Sequence, residues 1–250
     1  GLINRRILLP KKQLLRKLVV FVPNESMHKL ENALFSAGAG HISNYSACSF
    51  VTEGIGSFKP EAGANPTTGT IGERHSGKEQ KLEVIYPIWI EKEVLNAMKS
   101  SHPYEEIAYD IHTLENELSS TGSGMIGELE AEMDEVSFLN HLSPIFDLKV
   151  VKHTQFNGKK IKKIAICGGA GGFLMSEAGR QGADIFITSD LKYHDYFECP
   201  KGMVLADIGH FESEQATIEL FYDVLRQKFP TFALLKTGVN TNPVCYFTVS

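Results

Sequence analysis

Long apolar runs are missing from this chain of 250 residues. Charged residues, glycines or prolines interrupt every stretch before it reaches the roughly 18 residues of a membrane-spanning helix, so no membrane partner is expected. The N-terminal GLINRRILLPKKQLLRK is too basic, and its apolar part too short, for a secretory leader. Cysteine is scarce and scattered: four residues, Cys48, Cys167, Cys199 and Cys245, with no CxxC spacing. That pattern fits reduced thiols in a cytoplasmic protein and excludes a disulfide framework. Positive charge is also short, with 25 Lys+Arg against 30 Asp+Glu and a net charge of -5, which argues against nucleic acid as a partner because phosphate binding needs a basic face. What remains is ordinary for a soluble globular protein, 42% hydrophobic and 22% charged. A chain of this length can bury roughly 70–75% of its unfolded surface. Its length is that of one or two domains.

Residues 1–16 are basic and without clear period, and read as a linker or the end of another segment. An internal repeat follows. The strand-like KLVVFVP (Lys17–Pro23) leads into NESMHKLENALFSAGAG, where Met27, Leu30, Leu34 and Phe35 recur at helical spacing. Asn24 or Ser26 is placed to cap this helix, and Gly38 to end it. The same plan returns at KLEVIYP (Lys81–Pro87) and EKEVLNAMKSSHPY, with Val94, Leu95 and Met98 on one face. Each unit then reaches a further strand candidate, Asn44–Val51 and Glu106–Leu114. The resulting β-α-β-β-α-β order is that of a ferredoxin-like sandwich. Between the units, SFKPEAGANPTTGTIGERHSGKE reads as a long exposed loop. A Gly/Ser stretch at Ser119–Glu130 marks the next boundary. Beyond it, a helix at EVSFLNHLSPIF, strands at LKVVKH and KKIAIC, and alternating strands and helices predict a sheet covered on both faces. FALLKT and PVCYFTV read as closing strands.

Three segments of this second part could carry chemistry. GGAGG (Gly168–Gly172) follows a strand and opens a helix, a position that suits either anion binding or a tight packing turn; it is neither a P-loop nor GxGxxG. ITSDLKYHDYF places Asp190, Lys192, His194 and Asp195 just past a strand end, where ligands of open α/β sheets bind. A capped polar loop would show the same residues. ADIGHFESEQ is the strongest of the three. His210 and Glu214 stand four apart, which at the start of a helix puts them on one face about one turn apart, and imidazole and carboxylate so placed are two converging ligands for a divalent ion. A catalytic metal needs at least three protein groups, and no His-His or Asp cluster completes the set. His41 and His102, at the ends of the repeat's two helices, read as capping or loop-packing residues, and Cys48 and Cys167 as core thiols.

Taken together, GHISNYSACSF, GSFKPEAGANP, SHPYEEIAYDI, AICGGAGG, ITSDLKYHDYF, DIGHFESEQ and NPVCYF resemble the bacterial Nif-three-like family, also called GTP cyclohydrolase I type 2 homologs, from about Lys17 to Phe247. The resemblance implies a mixed α/β fold: a ferredoxin-like PII/CutA-type insertion domain at 17–115, followed at 116–250 by the C-terminal part of a metal-binding α/β domain. It implies a toroidal homohexamer and a pair of divalent ions (Zn, Fe or Mn) per subunit, with His210 and Glu214 as metal ligands. The family's T-G-D-x-K-[YH]-H becomes Thr188-Ser189-Asp190-Leu191-Lys192-Tyr193-His194, with serine in place of glycine at 189. The family's His-His pair and aspartate ligand precede the insertion, so the chain is expected to lack the N-terminal half.

Two functions are compatible with that resemblance. One is a dinuclear metal-dependent hydrolase of the GTP cyclohydrolase type, acting on a small molecule, with His194 as a proton shuttle because its pKa lies near neutrality. The alternative is a regulatory or scaffold protein whose PII-like domain senses a ligand or partner.

Overall fold

The computed structural model describes residues 1–247, and the chain divides into two compact units, Lys11–Leu118 and Gly1–Pro10 with Ser119–Ser250. The chain opens with a strand, β1 (Ile3–Lys11), where the sequence reads as a linker. Its single fully buried side chain, Leu8, enters the core of the second unit. One buried apolar residue in nine is too weak a periodic signal to announce a strand.

The unit Lys11–Leu118 carries β2 (Leu15–Pro23), α1 (Met27–Ser36), β3 (Ser49–Phe58), β4 (His75–Pro87), α2 (Glu91–Ser101) and β5 (Tyr109–Leu114). The sheet order β3-β4-β2-β5, antiparallel throughout, is the ferredoxin-like arrangement. Successive residues of a strand face opposite ways, so Leu18, Val20 and Val22 of β2, with Leu82, Val84 and Tyr86 of β4, point to one side. There they meet Leu30 and Leu34 of α1 and Val94 and Met98 of α2, all fully buried. The register Leu18↔Val84 and Val20↔Leu82 aligns these sets, and each fully buried Leu or Val contributes about 1.5–3 kcal/mol. Neither Asn24 nor Ser26 caps α1 through its side chain: a 3-10 turn over Asn24–Ser26 precedes the helix. Gly38, at φ +96, does end it, its N–H bonding to the Phe35 carbonyl. The strand expected at Asn44–Val51 begins at Ser49 and runs on to Phe58, so the β3–β4 hairpin takes up both ends of the predicted loop.

The other unit adds β6 (Leu118–Asp134), α3 (Glu135–Phe146), β7 (Lys152–His153), β8 (Lys160–Ala170), α4 (Met175–Arg180), β9 (Ile185–Ser189), β10 (Val204–Asp207), α5 (His210–Glu214) and α6 (Thr217–Lys228). Its sheet has the order β1-β6-β8-β9-β10-β7. The Gly/Ser stretch expected to mark a boundary does open the second unit's main segment at Ser119, and it does so as strand β6. A Cβ at Gly122 would overlap the Leu9 carbonyl and the Ile7 side chain, so that glycine serves close packing of backbone on backbone, not flexibility. At the centre, β8, β9 and β10 run parallel. Ala165, Phe186 and Leu205 pack towards Leu174, Met175 and Ala178 at α4. Their neighbours Ile164, Ile185, Ile187, Val204 and Ala206 pack towards Phe138 and Leu142 of α3. Both faces are thus covered, as continuous apolar strands require. Asp134 caps α3, accepting the Ser137 N–H at 2.9 Å. FALLKT forms no strand, nor does PVCYFTV as far as Phe247; its Thr248 and Val249 lie outside the described residues.

Candidate functional site

The three parallel strands deliver their carboxyl ends to one place, the position where α/β sheets bind ligands. After β9 the chain turns at Asp190, which adopts the left-handed conformation (φ 57) that aspartate tolerates better than most residues. After β10, Gly209 (φ 91) turns the chain into the single turn of α5, which begins with His210. Helical spacing then brings Glu214 beside His210.

The two ring nitrogens of His210 have different partners. Nδ1 lies 2.6 Å from Asp190 Oδ2, and Nε2 lies 3.2 Å from Glu214 Oε2. All three side chains are about half exposed (47–52%), so the site faces solvent. The hydrogen bond to Asp190 holds the imidazole above its ordinary pKa, and the charge of Glu214 adds to this. Behind Glu214 stands Gly169, at φ +66, where a Cβ would collide with Glu214 Oε1. Ser213 Oγ, which accepts the Gly169 N–H at 2.9 Å, fixes this backbone beneath the carboxylate. The GGAGG segment therefore serves as a floor for Glu214. Its first three residues end β8, and its last, Gly172, opens the 3-10 turn that leads into α4.

A cleft of about 610 Å³ opens beside these groups, lined among others by Lys152, Asp207, Glu212 and Tyr246. Asp207 is 3% exposed and pairs with Lys152 at 2.7 Å; it also accepts the N–H groups of Leu191 and Gly209. That pairing raises the Lys152 pKa. The Tyr246 hydroxyl donates to buried Glu212 at 3.1 Å, and burial followed by this bond pushes the phenol upward. Ser189, at the end of β9, is fully buried, and its hydroxyl has no hydrogen-bond partner among the described residues.

His210 and Glu214, predicted as neighbours, are brought together. His194 is placed elsewhere: it sits exposed on the 3-10 turn Tyr193–Tyr196, its ring edge-on to Tyr193 at 5.5 Å, and does not line the cleft. Asp190 as the partner of His210, and the Lys152–Asp207 and Glu212–Tyr246 pairs, were not assigned from sequence. Only Asp190 left a trace there, an acidic residue directly after a β-branched strand. His41 Nδ1 sits 3.1 Å from the Gly38 carbonyl, and buried His102 sits 2.9 Å from that of Phe21, as packing residues do. Cys48 and Cys167 are only partly buried. Burial, and then the charge of Glu214, raise the Cys167 thiol, which makes it a poor nucleophile.

As metal donors, His210 and Glu214 fit. The Nδ1 contact to a carboxylate is the arrangement that orients a ligating histidine and leaves Nε2 for the ion. Asp190 and Glu214 lie on opposite ring nitrogens, so the three groups do not converge on one point. No group of three or more His, Cys, Asp or Glu able to hold an ion occurs among the described residues. The pair offers two donors of the three that a catalytic metal needs.

Comparison with known proteins places the chain among relatives. A family model described as Duf34/NIF3 (NGG1p interacting factor 3) matches residues 24–243. The "GTP cyclohydrolase 1 type 2 homolog" of Bacillus subtilis is 41% identical over 198 residues, covering 79% of this chain and 53% of that protein. The protein of the same name from Halalkalibacterium halodurans is 36% identical, covering 98% of this chain and 68% of its own. A crystal structure of a Bacillus cereus protein related to NIF3 superposes with a TM-score of 0.78 at 32% identity, over 99% of this chain and 67% of that one. The chain thus spans about half the length of the B. subtilis relative.

Proposed function

The chain belongs to the Duf34/NIF3 family, and from that premise we propose that it supplies His210 and Glu214 to a divalent-metal centre of a hydrolase acting on a small molecule. The observation that carries this reading is the division of the His210 ring between Asp190 at 2.6 Å and Glu214 at 3.2 Å. Asp190 accepts the Nδ1 proton, fixes the tautomer and turns the Nε2 lone pair towards the side of Glu214. Gly169 leaves the carboxylate room to sit there. A bound divalent ion would supply Lewis acidity and a water acidified towards neutral pH.

The chain's own groups would then receive the substrate. Lys152, held by Asp207, presents an ammonium to the cleft and suits a substrate with anionic groups. Glu212, held by Tyr246, keeps a carboxylate nearby that could accept a proton. His194, expected as a proton shuttle, does not line this cleft, and no step is assigned to it. The name shared by the relatives suggests GTP as the substrate class; in support, the cleft's volume falls within the ~300–1,000 Å³ usual for small-molecule sites.

Calorimetric titration of the chain with Zn²⁺ or Mn²⁺ tests the metal. Saturable binding is expected, lost in both His210→Ala and Glu214→Gln. Equal binding by either variant would sink the reading.

A further inference from the structure

We propose that the unit Lys11–Leu118 binds a small organic polycation, of the polyamine class, in a cavity between the β3–β4 hairpin and the segment leading into β5. The cavity measures about 460 Å³ and lies wholly within that unit. Two sequence motifs that play no part in the metal site, GSFKPEAGANP and SHPYEEIAYDI, converge on it from opposite sides.

Its walls combine aromatic rings with carboxylates. Phe58 and Tyr104 stand with ring centroids 6.3 Å apart at 58°. The Tyr104 hydroxyl donates to Glu79 Oε1 at 3.1 Å. Gly56, which pairs with Gly77 and lies diagonally across the hairpin from Glu79, has no Cβ to displace the other carboxylate oxygen, which lies directly against the strand. The loop side is fastened by two bonds: the Asn65 N–H donates to Glu105 Oε1 at 2.7 Å, and Thr67 Oγ1 donates to the Pro103 carbonyl at 3.0 Å.

The charge balance selects the ligand. The lining holds Glu61, Glu79, Glu105 and Glu106 against Lys59 alone, and Lys59 pairs with Glu61 at 3.6 Å. Three carboxylates are left over, and the Arg74 guanidinium, which donates to Ser57 of the lining at 3.1 Å, offsets one of them, so the excess is two negative charges. Beside them, His102 adds no positive charge: its Nε2–H donates to the Phe21 carbonyl at 2.9 Å while Nδ1 accepts the Tyr104 N–H at 3.1 Å, which is the neutral tautomer. An anion would be repelled. A bare metal ion finds no convergent set of three ligands there among the described residues. An extended ammonium chain matches both surfaces, its charges on the carboxylates and its nitrogens or methylenes over the ring faces.

Calorimetric titration of the full chain with spermidine, at ionic strength matched with NaCl, tests the proposal. Saturable binding at one site is expected, weakened at least about fivefold by Glu79→Gln and by Phe58→Leu and unchanged by Glu93→Gln on the exposed face of α2. Absence of saturable binding overturns it, as does an unchanged affinity in a folded cavity variant or an equal loss in Glu93→Gln. Should Phe58→Leu unfold the unit, the isosteric change at Glu79 decides alone. His210→Ala leaves spermidine affinity unchanged, so this outcome and that of the metal reading are separable.

Discussion

Asp190 Oδ2 lies 2.6 Å from His210 Nδ1, across a gap of twenty residues that the parallel pairing of β9 with β10 closes. The contact raises the imidazole pKa above 6.5. Asp190→Asn keeps a residue at ease with positive φ but removes the charge. The His210 titration, followed by its imidazole NMR signal, is therefore expected to fall back towards 6.5. An unmoved midpoint would show that Asp190 does not govern the ring. If metal binds, the same variant is expected to weaken it about 10–100-fold.

Gly169→Ala introduces a Cβ at φ +66 and against Glu214 Oε1. The backbone term alone is about 1–2 kcal/mol. Urea unfolding should register that loss, and metal titration should show weaker binding because Glu214 must move. Stability within 0.5 kcal/mol of wild type, about the scatter of neutral surface changes, would contradict the described backbone.

Ser189 buries a hydroxyl without a partner among the described residues. An unmet buried polar group costs about 1–3 kcal/mol, so Ser189→Ala should leave stability equal or raise it. A drop of more than about 1 kcal/mol would mean that the hydroxyl is engaged.

His102 is 8% exposed, and burial lowers its pKa below 6.5. The unfolded chain therefore binds a proton that the folded unit resists. Its contribution to stability is complete above pH 6.5 and is lost as the pH falls through the lower folded value. Urea midpoints taken downward from pH 7.5 should decline through this range, and less so in His102→Gln. A His102 signal titrating above 6.5 would reverse the sign.

How much of this was legible beforehand depended on whether one face of an element did all the burying. Leu18, Val20 and Val22 announce β2 because their alternation meets a proline at its end, and Val94 and Met98 announce α2 by helical spacing. Strand β6 was hidden because its Gly122 answers to Leu9 and Ile7, residues over a hundred positions away that no local window includes. FALLKT carries strand-like composition, but Leu235 is 96% exposed, and composition without a partner strand leaves irregular chain. At the site, His210 and Glu214 were readable because a single helical turn sets their separation. Asp190 was readable as a candidate just past a strand end, but its partnership with His210 was not, since sheet order makes it. His194 shares Asp190's loop, yet the turn at Tyr193–Tyr196 carries it away from the cleft.

Strand β2 is hydrogen-bonded on both sides, to β4 over Leu15–Pro23 and to β5 over Leu15–Val20. Its central amides should thus be the last in their unit to exchange with deuterium, opening only when the whole sheet does. The Asn65 and Thr67 tethers, by contrast, are two exposed bonds, and breaking them leaves every ladder intact. A guest can therefore come and go through that side on a far shorter timescale than the one on which the sheet itself breathes.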